Sequence, residues 1–267
     1  MSGVDVIPAD ALQCIRKRLE RVKAEHDARI LLAVESGSRA WGFPSPDSDF
    51  DVRFIYVLPK RAYLGLEQPR DVIEQPIEGL YDINGWDLRK ALNLLLKANP
   101  AIAEWLRSPI VYEEAPGFRE EIEALLALID ERPAAQHHHL STLRSAYTRQ
   151  IQGQETVRLK KYFYCLRPAY ALHWMWENAD GQLPMVFSEL RRGVREPADR
   201  AEEIDRLLSL KASTRDLGAG DPLPMLDSFL EATIAKAESL DLGHQKKPVP
   251  SVRAACESLL LRTLEEA

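Results

Sequence analysis

Cysteine is scarce in this chain of 267 residues: Cys14, Cys165 and Cys256 are far apart, and none stands at metal-ligand spacing from another. That excludes a disulfide framework or a cysteine-built zinc site, and reduced thiols in a cytoplasmic protein are expected. Long apolar runs are missing too. No uninterrupted run approaches the roughly 20 residues of a membrane span, and the N-terminal residues lack the apolar stretch of a signal peptide, so no membrane association is expected. Nor is there a surplus of positive charge. The formal net charge of −6 argues against a surface coated for nonspecific nucleic-acid binding, while leaving room for a local basic groove. No repeat of fixed period is present, so the helical segments do not form a regular array.

What is present is ordinary globular material, 45% hydrophobic and 28% charged. The length suits one large or two modest domains. The most informative stretch covers residues 35–53, ESGSRAWGFPSPDSDFDVR. The apolar run of residues 30–34 before it reads as a buried strand that delivers Gly37-Ser38. A Gly-Ser at a strand-to-helix turn offers N–H groups and a hydroxyl to an anion. A helical turn is expected over residues 38–41, ending at Gly42.

With ten residues between it and Ser38, Asp49-Phe50-Asp51 opens a second apolar run, residues 52–58. Alternation along a strand puts Asp49, Asp51 and Arg53 on one face and Phe50, Val52 and Phe54 on the other. Neighbouring carboxylates on one face repel unless a cation lies between them. Magnesium takes a few carboxylates plus phosphate oxygens, which this pattern supplies. Arg39 is placed either to reach phosphate or to pair with Glu35 or Asp47.

The rest of the chain is read in order. Residues 9–26 form an amphipathic helix through Leu12, Ile15, Leu19 and Val22. Residues 59–76 are a polar excursion anchored by Tyr63 and Leu64. A strand over residues 79–86 leads into a helix over residues 88–98. Asp82 lies within that strand, and Asp87 stands where an N-cap belongs. A short helix follows at residues 101–107, and Pro116-Gly117 marks a boundary. Beyond it every segment reads as helix: residues 118–132, 139–151, 156–178, 184–192, 198–210, 224–240 and 251–265. Strands in the first half and helices in the second imply an α+β domain over residues 1–115 and a helical domain over residues 116–267.

His137-His138-His139 cannot all face one ion from a helix, and a solvated helix start is the expectation. Residues 144–167 hold Arg144, Arg149, Arg158, Lys160, Lys161 and Arg167 against Glu155. On a helix, Lys160, Tyr164 and Arg167 share a face, a basic surface beside an aromatic that suits a triphosphate with its base or ribose. An ordinary solvated basic face is the competing account. Pro168 is expected to kink or restart this helix. The aromatics Tyr170, His173, Trp174 and Trp176 read as core.

Gly-Ser, a short turn and Asp-x-Asp on the next strand, in that order, resemble the signature of the DNA polymerase β-like nucleotidyltransferase superfamily. The wording GSRAWGFPSPDSDFDVRFIYV, followed by DINGWDLRKALNLLLKANPAIAEWLRSPIVY, is similar to its RNA-ligase-associated, RlaP-like branch. The resemblance covers residues 35–112 well and residues 160–168 more thinly. It implies a mixed twisted sheet with helices, followed by a helical domain forming the other wall of a cleft. It implies transfer of a nucleoside monophosphate from a triphosphate, ATP being expected, to an acceptor hydroxyl, with two Mg²⁺ ions and release of pyrophosphate. Asp49 and Asp51 would hold the triphosphate-side ion, and Asp82 would join them at the acceptor-side ion; Asp82 is preferred over Asp87 as the third carboxylate. Gly37, Ser38 and Arg39 would bind the nucleotide, with Lys160, Lys161 and Tyr164 from the basic helix. An RNA 3′ end is the acceptor the branch suggests, with a protein side chain or small molecule as rival. A noncatalytic nucleotide-binding or antitoxin-like module is the alternative class.

Overall fold

The structure, a computed structural model, describes residues 7–215, 217–244 and 248–266. By compactness the chain divides into two units, one of residues 7–40, 49–131 and 248–266, the other of residues 41–48 and 132–244.

The first unit is built on a sheet. Helix α1 (Ala9–His26) buries Ala11, Ile15, Leu19 and Val22, the stripe its spacing dictates. Strand β1 (Arg29–Ser36) is buried along nearly its whole length, as a continuous apolar run requires. Strand β2 (Phe50–Val57) carries the second acidic position at its start. Then come α2 (Lys60–Tyr63), β3 (Val72–Glu74), β4 (Tyr81–Asp87), α3 (Leu88–Leu95), α4 (Pro100–Leu106), β5 (Val111–Glu114) and α5 (Phe118–Leu126). The strand order is β3-β4-β2-β1-β5. Only β2 and β4 run parallel and the other pairs are antiparallel, so the sheet is mixed, as expected for an α+β fold. Its apolar face joins α1 in one core with Val52, Phe54, Tyr56 and Ile83.

The second unit is helical: α6 (Arg132–Gln150), α7 (Lys160–Glu177), α8 (Phe187–Arg192), α9 (Ala198–Ser213) and α10 (Pro224–Ser239). A two-residue ladder joins β6 (Val157–Arg158) to β7 (Ala219–Gly220). Its core includes Phe163, Tyr170, Trp174 and Phe229, with Trp176 packed at the edge; Tyr170 and Trp174 are thus core as expected, while His173 is only half-buried. The last helix, α11 (Pro250–Glu265), packs on α3 and α5 in the first unit. Arg262 there pairs with Glu121, and Arg29 donates to the Thr263 carbonyl at 3.3 Å.

Several local expectations are corrected. Residues 37–42 form successive turns, with no helix between Gly37-Ser38 and Asp49. Gly37 and Gly42 both take positive φ, +77° and +86°, which helical backbone does not use. The excursion of residues 59–76 contains α2 and β3, and residues 111–114 form β5; both strands are short and paired on one side only, so partners rather than alternation define them. Helix α3 stops at Leu95, and Ala98 takes φ +50°. Helix α6 begins at Arg132, ahead of the histidines, because Pro133 suits a first helical turn. Helix α7 runs through Pro168 without restarting, the ring sealed in the core. Tyr63 anchors its segment through its hydroxyl, but Leu64 is exposed.

No helix among the described residues is long and apolar enough to cross a membrane.

Candidate active site

Register brings the acids together. In the antiparallel pair β1–β2, Ser36 lies opposite Asp51; in the parallel pair β2–β4, Asp51 lies opposite Asp82. Two carboxylates thus stand side by side on adjacent strands, with Asp49 immediately before β2. Both side chains are accessible at the sheet surface, Asp51 at 28% and Asp82 at 30%. Phe50, between the two acids, turns inward and stacks on Tyr81 at 5.2 Å.

The Gly-Ser turn closes directly over Asp51. A Cβ on Gly37 would meet Asp51 Oδ2 at 2.2 Å, so only glycine leaves room for the carboxylate there. Ser38 is half-buried in the same turn. Arg39 donates from Nε to the Asp49 carbonyl at 3.1 Å, and its guanidinium lies 3.9 Å over the Phe50 ring. In this position it ties the turn to the backbone of the first acid.

Beneath Asp51 lies Glu35, which the sequence offers only as a pairing partner for Arg39. Glu35 is fully buried; it accepts from the Asp51 N–H at 2.9 Å and from the Tyr112 hydroxyl. Its own carbonyl accepts from Ser108 Oγ at 2.6 Å. Burial foremost pushes Glu35 up to about 7, with the Tyr112 bond opposing and the Asp51 charge adding. The Asp51 carboxyl is also raised, mainly by burial, against the opposing charge of Arg53. An ionisable residue inside an apolar strand run was the available signal for Glu35; nothing in the sequence marked Tyr112 or Ser108.

Arg53 stands between the acids. Its Nη2 donates to Asp82 Oδ2 at 2.7 Å and to Asp51 Oδ1 at 3.3 Å; Nη1 donates to the carbonyls of Asp82 at 3.0 Å and Val52 at 3.1 Å. The oxygen-rich edge therefore has the chemistry an oxygen-seeking divalent ion needs, and it is at present neutralised by a guanidinium. Among the described residues no group of three or more His, Cys, Asp or Glu side chains is gathered as a ready ligand set.

Asp87 has a different place. It caps α3 by accepting from the Arg89 N–H at 2.8 Å, accepts from the Tyr63 hydroxyl, and is 3% exposed.

In the second unit, Lys160 and Lys161 occupy the first turn of α7, which has no side-chain cap. Lys161 Nζ lies 5.3 Å from the ring centre of half-exposed Tyr164. These two line an open groove of about 360 Å³ with Ser141, Ser145 and Arg149 of α6. The expected shared face of Lys160, Tyr164 and Arg167 is not formed. Arg167 is buried, its guanidinium 4.5 Å over Trp41 and bonded to the Met185 carbonyl. Of the histidine run, His137 and His138 are exposed, but His139 is buried in the helical unit. A solvated helix start therefore describes only two of the three.

A Gly-Ser turn packed on an Asp-x-Asp strand, with a further aspartate in register on the parallel neighbour, defines a polymerase β-like nucleotidyltransferase. Within that class the chain belongs to RlaP, the RNA repair pathway DNA polymerase beta family, which matches residues 12–260. It is 41% identical over 256 residues to the uncharacterized protein YcgL of Bacillus subtilis (strain 168), covering 95% of this chain and 96% of that one. It also aligns with a nucleotidyltransferase-like protein from Exiguobacterium sibiricum 255-15, known from a crystal structure. That alignment spans 96% of this chain and 80% of the other, at 13% identity and a TM-score of 0.30.

Proposed function

We propose that this protein transfers a nucleoside monophosphate from a nucleoside triphosphate, ATP foremost, to a hydroxyl at an RNA 3′ end. The observation that carries the reading is the Asp51–Asp82 register with Gly37 packed on the Asp51 carboxylate. The acceptor oxygen attacks the α-phosphorus in line, the bond from that phosphorus to the β-phosphate oxygen breaks, pyrophosphate leaves, and the hydroxyl proton passes to water. Asp49, Asp51 and Asp82 are the residues that would hold two Mg²⁺ ions. When bound, these supply charge neutralisation at the attacking and leaving oxygens.

The chain's own contributions are positional. Gly37 and Ser38 offer the turn to the triphosphate, and Arg39 fixes that turn to Asp49. Glu35 holds the Asp51 backbone from beneath. Lys160, Lys161 and Tyr164 are proposed to meet phosphate and base, Lys161 and Tyr164 being placed together in one groove. The family's description supports RNA as acceptor. A protein or small-molecule acceptor is the second reading, favoured by the net charge of −6. All three acids are present, which supports turnover over a noncatalytic nucleotide-binding or antitoxin-like module. The unbridged cysteines agree with a reducing, cytoplasmic setting.

Incubating the protein with each labelled triphosphate, Mg²⁺ and either cellular RNA or cellular protein tests the reading. Label in RNA, dependent on Asp49 and Asp51, is the expected result. Label confined to protein moves the acceptor, and no label in any fraction together with no triphosphate consumption removes the enzyme.

A further inference from the structure

We propose that Arg53 is an internal counter-ion of the acidic edge and competes with a divalent ion for Asp82. The proposal rests on the metal reading above and goes beyond it by making access to the third carboxylate conditional.

Two residues after Asp51 on the same strand, Arg53 projects from the same face. The parallel register sets Asp82 directly beside Asp51, so the guanidinium spans both carboxylates from one strand to the next. It is held at four points, two carboxylate oxygens and the carbonyls of Val52 and Asp82, and its side chain is only 16% exposed. A fork so anchored is a fixed part of the site rather than a roaming surface side chain.

The two acid contacts are unequal. Arg53 is at 2.7 Å from Asp82 and 3.3 Å from Asp51, so its stronger commitment is to Asp82. Asp49, the remaining acid, is not among its contacts within the described residues. Asp49 and the Asp51 oxygen that Arg53 does not touch, Oδ2, are therefore left to serve a cation while the guanidinium stays in place. Asp82 cannot serve one fully until Arg53 withdraws, because two cations on one carboxylate repel and share a limited set of lone pairs. The arrangement offsets part of the cost of two adjacent carboxylates before any ion binds, and it makes the acceptor-side ion the weaker of the two.

Titration with Mn²⁺, read by the loss of the free-ion paramagnetic resonance signal, tests this without turnover. Wild type should bind one ion tightly and a second weakly. Arg53→Met should tighten the second by roughly ten-fold and lower the melting temperature of the ion-free protein. Arg53→Lys, which keeps the charge but cannot fork, should fall between, and it decides the matter if Arg53→Met does not fold. Asp82→Asn should lose the second ion alone, and Asp51→Asn should weaken both. If the folded Arg53 variants bind the second ion no more tightly than wild type while the Asp variants lose it, the Arg53 proposal is overturned and the metal reading stands. Mn²⁺ binding untouched in Asp51→Asn and Asp82→Asn overturns the metal reading, and this proposal with it.

Discussion

Gly37 and Asp51 show how closely single residues are matched here. With φ at +77° and Asp51 Oδ2 at 2.2 Å from where a Cβ would stand, Gly37→Ala should strain the turn and drive the carboxylate aside. A left-handed alanine alone costs about 1–2 kcal/mol. The expected outcome is a folded but less stable protein with no detectable pyrophosphate release; wild-type release would show that the turn has room to spare. Asp51→Asn should abolish release through loss of charge rather than of shape. Because burial already disfavours the ionised form, the ion-free variant should melt no lower than wild type. Asp87 gives the contrast. As the cap of α3 and acceptor for Tyr63, its replacement by Ala should lower stability by about 1–2 kcal/mol, read from a denaturation midpoint, with per-molecule activity retained in the folded fraction. Loss of activity without loss of stability would move the third carboxylate from Asp82 to Asp87.

At the scale of elements, the stretch joining the Gly-Ser turn to Asp49 belongs to the helical unit. Phe43 stacks on Phe163 at 5.2 Å and meets Phe187 edge-on, and the buried Lys211 donates to the Phe43 carbonyl at 2.7 Å. Helices α6 and α7 pack along one another, with His139 of α6 buried and His173 of α7 half-buried. Burial foremost holds His173 down at about 4, helped by Lys236 and Arg200, and puts His139 well below its ordinary value. The unfolded chain takes up these protons near pH 6.5 and the folded chain does not. Stability is therefore fully present above pH 6.5 and is lost as the pH falls towards 4, by on the order of 3 kcal/mol for His173. His173→Gln, which can keep the contact to Thr233 Oγ1, should flatten that loss in urea midpoints measured between pH 7 and 5. An unchanged slope would mean that His173 is not a source of it.

Over the whole molecule, a chain of net charge −6 concentrates basic groups on α6 and the start of α7. Two uses of that surface respond differently to salt. A clamp on one compact triphosphate should make Lys161→Ala weaken nucleotide binding with or without acceptor. A face tracking an RNA backbone should give acceptor affinity a logarithmic salt slope near −0.7 per contacted phosphate. We expect the first for Lys161, whose ammonium lies beside Tyr164 on one short face. Titrating labelled nucleotide and a short RNA against wild type, Lys160→Ala and Lys161→Ala across salt concentrations separates them. Nucleotide bound equally tightly by all three would remove this helix from the site.

Much of this was legible in the residues themselves. The stripe of α1, the apolar runs of β1 and β2 and the helical periods after residue 117 follow from side-chain spacing, which is a local property. So do the Gly-Ser and Asp-x-Asp pair and the cap at Asp87, since each is a demand of nearby backbone. Tertiary structure decided what depends on partners distant in sequence. Parallel register set Asp82 beside Asp51 and gave Arg53 two acids to bridge, and no spacing along the chain encodes which strand becomes a neighbour. Packing turned Arg167 inward onto Trp41, buried His139, and drew residues 41–48 into the helical core. The short strands β3 and β5 exist because a longer strand offers them hydrogen bonds, and a carboxylate as buried as Glu35 is tolerable only because Tyr112 and the Asp51 N–H come to meet it.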